Sequence, residues 1–267
     1  MSGDVGLHRW SSLSISSLLG LTLMLGFFIS RAVGLRRAGK ESSEGLGSSL
    51  EAMASGLLGL LLAFNFSIAQ SRFEDREKEI VREADAIGTM YLRCSLLDAE
   101  DRRLCRDHLR SYAALRIAAY ASYGRAEASS LVNQLAKGEQ IQNELWSMVT
   151  RAVREHPDAP RAVLMMGLNE LIDLDADRRA SIRIIVPQAV TVAIMLACIA
   201  WAVLLGYSLG LKRQGSWAGW VMVTVLIGVV FGVALDLDRP VTGLVTTAAA
   251  ERSMKQVLEM MQRPPVD

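Results

Sequence analysis

The sequence predicts an all-α, multi-pass membrane protein: four transmembrane helices, with a helical extramembrane domain inserted between the second and third. Three observations carry this. Four windows contain no Asp, Glu, Lys or Arg: Trp10–Ser30, Ala52–Ser71, Ile184–Leu211 and Gln214–Leu235, together 91 of 267 residues. A helix that crosses a bilayer needs roughly 20 apolar residues, and lipid admits only segments that satisfy their own backbone. Between the second and third windows the apolar residues recur at helical spacing, and no stretch alternates as a strand would. These features exclude an ordinary soluble globule, a disordered chain and a disulfide-rich secreted domain. A formal charge of +1 provides no concentrated basic surface for nucleic acid.

Residues 1–71 hold the N-terminal tail and the first two spans. The first window follows Arg9, but it exceeds the roughly 7–15 apolar residues of a signal peptide. Ser30-Arg31-Ala32 also places an arginine where cleavage needs small residues, so this window reads as a span. The second carries Ser55, Gly59, Ala63, Ser67 and Ser71 at every fourth position. Such ridges let helix backbones approach closely, either inside one bundle or between copies around an axis. Gly206/Gly210 and Gly228/Gly232 repeat the device in the later spans. Asn65 falls near mid-membrane, where a polar side chain faces protein or water.

Residues 72–183 form the polar helical domain, with 18 basic and 19 acidic side chains. Phe73, Ile80, Ala84, Ile87 and Tyr91 share one face. No breaker separates this stripe from the second span, which predicts one long helix ending near Leu96–Leu97. Asp98 is placed to cap a second helix with Leu104, His108, Tyr112, Leu115 and Ala119 inward, stopped by Gly124. A third runs from about Ala126 to Glu155, with Leu131, Leu135, Leu145 and Val149 as core candidates and Gly138 weakening its middle. Asp158 caps a fourth, with Pro160 in its first turn and Val163, Met166 and Leu171 inward, running to Pro187. Residues 184–240 hold the third and fourth spans. Residues 241–267 end the chain as an amphipathic helix that gathers Ala250, Met254, Val257, Leu258 and Met261 on one side.

The motif chemistry is that of a non-enzyme. His8, His108 and His156 fall in no metal-ligand pattern, and Gly39-Lys40-Glu41-Ser42 lacks the upstream glycine and Lys-Ser adjacency of a phosphate loop. We therefore assign no catalytic residue, no metal and no cofactor, and expect His108 to pack in the helical core. Cys198 lies within the third span. Cys94 and Cys105 flank the first turn of the polar domain, where two antiparallel helices bring them towards disulfide range; two reduced core cysteines are the alternative. The acids Glu170, Asp173, Asp175 and Asp177 beside Arg178 and Arg179 read as a solvated ion-pair face rather than a calcium site.

Four segments occur in order: Leu57-Leu58-Gly59-Leu60-Leu61-Leu62-Ala63-Phe64-Asn65-Phe66-Ser67 with Ser71-Arg72-Phe73-Glu74-Asp75-Arg76; Glu83-Ala84-Asp85-Ala86-Ile87-Gly88-Thr89; Leu168-Asn169-Glu170-Leu171-Ile172-Asp173-Leu174; and Asp236-Leu237-Asp238-Arg239-Pro240. From about Ala52 onward the chain resembles a bacterial bestrophin-like membrane family of unassigned function. The more distant resemblance is to bestrophins proper, through Phe64, Arg72, Phe73 and the acidic turn before Pro240. It implies a pentameric anion channel whose second span lines the pore and continues into a cytosolic helical domain. The chain departs from bestrophins by Glu74 at the place of a second aromatic, and by lacking Pro-Phe-Gly after the acidic turn.

Two functions follow. In the first, the protein is a homo-oligomeric ion channel. A helical wheel puts Met53, Gly56, Leu57, Leu60, Phe64, Ser67 and Ser71 on one face of the second span. Leu57, Leu60, Phe64, Ser67 and Ser71 are then the pore-lining candidates, Leu60 and Phe64 a dewetting constriction, and Arg72 and Arg76 a mouth that attracts anions. In the second, a non-conducting membrane protein scaffolds an assembly or binds a partner through its polar domain. Sidedness divides the same way. Arg31, Arg36, Arg37 and Lys40 flank the first short connection, and Lys212 and Arg213 the second. Basic short loops stay in the cytoplasm; this puts the polar domain outside it, where a Cys94–Cys105 disulfide persists. The bestrophin resemblance, and the basic residues just after the second span, imply the opposite. In either case the bilayer is a cell membrane, taken as the bacterial inner membrane.

Overall fold

The computed structural model describes residues 12–38, 44–122, 128–181, 188–212, 217–238 and 247–263. Eight α-helices, with no strand among the described residues, follow in order: α1 (Ser12–Arg37), α2 (Glu44–Arg93), α3 (Ala99–Ser122), α4 (Ala128–Glu155), α5 (Ala159–Ser181), α6 (Gln188–Lys212), α7 (Trp217–Asp238) and α8 (Ala248–Gln262). A 3-10 turn at Cys94–Leu96 follows α2. Four helices are long and apolar enough to cross a membrane: α1, α2, α6 and α7. The chain divides into two compact units, Met1–Phe73 with Ile185–Val245, and Glu74–Ile184 with Thr246–Asp267.

In the apolar unit, α1 buries Ile15, Leu19, Leu23 and Phe27, residues four apart and so on one face. They share a core with Cys198, Ala202 and Leu205 of α6 and with Phe231 and Leu235 of α7. α1 and α6 approach so closely that a Cβ on Gly206 would fall on the Phe27 carbonyl, and one on Gly210 on the Arg31 carbonyl. Only glycine fits at such a backbone contact. Two ion pairs stand at opposite ends of this unit. Lys212 Nζ lies 3.2 Å from Glu51 Oε1, and Arg72 Nη1 lies 3.4 Å from Asp238 Oδ1. Glu51 and Arg72 are 21 residues apart on α2, about 31 Å of helix at 1.5 Å per residue. That matches the ~30 Å hydrocarbon slab of a bilayer.

The polar unit builds its core on the α2 stripe of Ile80, Ala84, Ile87 and Tyr91, joined by Met90 and Cys94. Leu145 and Val149 of α4 and Met254 of α8 meet the same core. α8 buries Ala250, Met254 and Met261 and half-buries Val257 and Leu258. Its C-terminal end is held by side chains: the Tyr91 hydroxyl donates to the Met261 carbonyl at 3.0 Å, and Arg110 Nε donates to the same oxygen at 2.9 Å. Donors and a positive charge satisfy the otherwise orphaned carbonyls of a helix terminus. At the other kind of end, Asp158 Oδ1 accepts the Arg161 amide at 2.9 Å and caps α5. That bond and the nearby Arg161 charge outweigh slight desolvation and hold the Asp158 carboxyl below its ordinary range.

Two inward faces differ from the sequence reading. On α3, Leu104 is exposed and His108 half-exposed, with its Nδ1 3.2 Å from Glu144 Oε2. Tyr112 and Ala119 are buried as expected, and Cys105, Leu109, Ala113 and Arg116 complete the buried face. The helix is turned by one residue because Arg116 must reach a buried carboxylate on α2 and Cys105 must face Cys94. On α5, Val163 and Met166 are exposed, while Leu164, Leu168 and Leu171 point inward. Asp175 and Arg178 continue that inward face. The acidic run on α5 is therefore not one solvated face, since Asp175 is buried and ion-paired. The Leu131 side chain, Arg239, Pro240 and the stretch 182–187 lie outside the described residues.

Candidate pore-facing helix and its charged surroundings

α2 exists as a single helix of 50 residues because nothing between Glu44 and Arg93 breaks it: there is no proline, and the glycines are isolated. Only part of its circumference within the span is covered, and Phe66 and Ile68 are exposed as well. Leu58, Leu62, Ala69 and Phe73 are buried. Met53, Leu57, Leu60 and Phe64 are exposed, Met53 at 71% and Phe64 at 59%, and Ser67 and Ser71 are exposed with them. The five pore-lining candidates thus share one uncovered face. Gly56 and Gly59 have no atom within 4 Å of where a Cβ would stand, unlike the closely packed Gly206 and Gly210.

The same unit holds an apolar crevice of about 270 Å³ lined by Ser55, Gly59, Leu62, Trp201, Trp220 and Ile227. Trp201 Nε1 donates to Ser55 Oγ there at 2.9 Å, which satisfies the indole N–H in an apolar setting.

The two proposed mouth arginines turn off the exposed face. Arg72 is committed to Asp238, whose side chain is only 7% exposed. Arg76 is buried at 9%. One helical turn on, the exposed charges are Glu74, Asp75 and Lys78, with Lys78 Nζ 3.8 Å from Glu74 and 3.6 Å from Asp75.

Deeper in the polar unit lies a charge network that sequence reasoning missed. Glu83 of α2 is wholly buried, 2.6 Å from Arg116 Nε of α3 and 2.7 Å from Arg178 Nη1 of α5. Arg116 also stands 3.1 Å from Asp175, which accepts a hydrogen bond from Gln142 at 3.0 Å. Arg179 pairs with both Asp175 and Glu139; burial opposes its charge, but the two carboxylates prevail and raise its pKa. The Tyr112 hydroxyl takes a hydrogen bond from Gln142 at 3.1 Å, and burial pushes its ionisation far above the ordinary phenol range. Buried ions persist only when paired. The available signal was Glu83 standing beside Ala84, between Ile80 and Ile87, on a face otherwise apolar.

Cys94 and Cys105 meet at the α2–α3 corner with Cα atoms 5.9 Å apart and their sulfurs bonded. Among the described residues no group of histidine, cysteine and acidic side chains is arranged to hold a metal.

Comparison with known proteins bears on the fold. A crystal structure of a bacterial bestrophin homolog from Klebsiella pneumoniae, a tryptophan-to-alanine variant, is similar with a TM-score of 0.66 and 18% identity over 92% of this chain and 97% of that one. A second structure of that homolog, phased with zinc, gives a TM-score of 0.64 at 17% identity, over 92% of this chain and 99% of the other. No curated protein matches in sequence. The bestrophin-like domain model matches residues 16–249. With a single family model covering all four spans and the polar helices between them, the chain belongs to the bestrophin-like family.

Proposed function

We propose that the protein is a homo-oligomeric ion channel in which copies of α2 surround the conduction path. The observation that carries this is the uncovered face of α2 within the membrane slab: Leu57, Leu60 and Phe64 in line with Ser67 and Ser71, flanked by Gly56 and Gly59 with open space around them. On the other spans Gly206 and Gly210 sit against a neighbouring backbone, whereas Gly20, Gly219 and Gly228 are as open as Gly56 and Gly59. Glycines with no neighbour suit the close approach of a second copy. Leu60 and Phe64 form the narrow apolar ring, and Ser67 and Ser71 offer hydroxyls to ions beyond it. Fold similarity to the bacterial homolog supports the same reading, as does the resemblance to bestrophins proper. Native mass spectrometry in detergent, with ion flux from liposomes, tests it. A ring of copies that passes ions is expected; a monomer without flux would overturn it.

The polar helices belong, in this proposal, outside the cytoplasm. Arg31, Arg36, Arg37 and Lys40 hold the first short loop in the cytoplasm. The bonded pair Cys94–Cys105 suits an oxidising compartment. Thiol labelling in intact and permeabilised cells, with and without reductant, decides the side. Free thiols reached only after permeabilisation would place the domain inside.

A further inference from the structure

We propose that the apolar crevice beside α2 seats an acyl chain of an anionic phospholipid, whose phosphate meets the cations at the same end of the spans. This needs the four spans but not the pore. The crevice, about 270 Å³, is walled by Ser55, Gly59 and Leu62 of α2, Trp201 of α6, and Trp220 and Ile227 of α7. At ~30 Å³ for each water-sized group, it has room for about nine methylenes. Water is a poor occupant. Trp201 Nε1 donates to Ser55 Oγ at 2.9 Å, and Ser55 Oγ donates to the Glu51 carbonyl at 2.7 Å. The polar groups of Ser55 and Trp201 thus serve each other, whereas a buried water needs two to four polar partners. Left empty, the lining would lose its dispersion contacts. Within the hydrocarbon slab the material at hand to fill it is acyl chain.

The charge at one end of the crevice selects the lipid. Its α2 wall runs from Ser55 to Leu62, about 10 Å of helix, and begins one turn inside Glu51. Glu51 pairs with Lys212 at the edge of the slab, and the Lys212 side chain stays 32% exposed. An ammonium carries three donors, so Lys212 can serve a phosphate as well. α1 ends at the same level, because Gly34 lies against the Tyr207 carbonyl and the Gly210 backbone of α6. The exposed Arg36 and Arg37 therefore stand beside the last turn of α6, which holds Lys212. Arg36, Arg37 and Lys212 against Glu51 leave a net charge of +2. Basic clusters at the ends of spans attract anionic headgroups. Trp220, in the first turn of α7, adds an amphipathic ring of the kind that settles at headgroup level.

The crevice also faces away from the uncovered stripe of α2. At about 100° per residue, Ser55, Leu58, Gly59 and Leu62 centre on the side of the helix opposite Leu60 and Phe64. Copies that meet across the exposed stripe therefore leave the crevice open to lipid. Gly59 stands at the margin of the crevice side, and its open space receives the chain.

The test is native mass spectrometry of the purified full chain in detergent, titrated with phosphatidylglycerol or with phosphatidylcholine carrying the same chains. Phosphatidylglycerol should bind about fivefold tighter or more. Arg36→Gln, at an exposed site, should weaken phosphatidylglycerol about fivefold and leave phosphatidylcholine unchanged. Gly59→Leu fills the crevice from the α2 wall, and Ile227→Phe fills it from the α7 wall. Each should weaken both lipids severalfold while the oligomer stays intact. Equal affinity for the two lipids, or affinity indifferent to both filling variants, would overturn the assignment. Break-up of the oligomer by both filling variants would make a second copy the occupant and overturn it too.

Discussion

Arg116 Nε lies 2.6 Å from Glu83 Oε1 in the interior of the polar unit, and that pair ties the extension of the second span to α3. Arg178, on the helix that precedes the third span, holds the other oxygen of the same carboxylate at 2.7 Å. One buried side chain on α2 thus fastens two further helices. Removing it takes away the carboxylate beside Arg178 and one of the two carboxylates beside Arg116, which keeps Asp175. We expect Glu83→Ala to cost about 3–5 kcal/mol of stability, because an unpaired buried ion is worse than no ion. Thermal unfolding of the detergent-solubilised protein measures this, with the exposed Asp85→Ala as a control expected to stay within about 0.5 kcal/mol.

The Arg72–Asp238 pair makes a smaller demand. Arg72 keeps 28% of its side-chain exposure, so water compensates part of its loss. Asp238→Asn should cost about 1–3 kcal/mol, in the range for a buried charged hydrogen bond left incomplete. A double-mutant cycle with Arg72→Gln should return a coupling above about 0.5 kcal/mol. Additive effects would show that the two residues do not act together.

The Cys94–Cys105 link closes a short loop, its ends 11 residues apart in the sequence. Loop-closure entropy for that length is worth about 3 kcal/mol. Replacing both cysteines by alanine, or adding reductant before unfolding, should therefore lower the unfolding free energy by a similar amount and bring the thermal midpoint down. A midpoint indifferent to reductant would show that the thiols are free in the protein as purified.

Phe64 is the most informative apolar position. Its ring is exposed, so Phe64→Ala opens no cavity within the chain. Stability should change by no more than about 0.5 kcal/mol, whereas flux should rise severalfold because the narrow apolar ring has been widened. A loss of about 3–5 kcal/mol with flux unchanged is the signature of a packed core position instead.

The helical architecture was legible because its signals are strong and local. Charge-free windows, the α2 stripe from Phe73 to Tyr91 and the Asp158 cap each depend on a few adjacent residues, and all are present as read. The faces of α3 and α5 were not legible. Leu104 and His108 compete with Cys105 and Leu109 as equally good helical stripes, and choosing between them requires knowing that Arg116 goes inward to Glu83. Hydrophobic periodicity treats an arginine as outward, so a buried ion pair misleads it by one residue in register. Arg72 shows another limit of local signals: only the return of α7 with Asp238 reveals the carboxylate it pairs with.

The central claim, that α2 lines the path of the ions, is tested most directly by placing a thiol on it. In a Cys198→Ala background, Ser67→Cys puts a reactive group on the uncovered face while the Cys94–Cys105 link is left in place. Met222→Cys on α7, where Met222 is 71% exposed, serves as the comparison on another span. Treatment with a charged, water-soluble thiol reagent during bilayer recording should block current through the Ser67→Cys protein and leave the Met222→Cys protein unaffected. Equal indifference of both, with current flowing, would mean that ions pass somewhere other than along this helix.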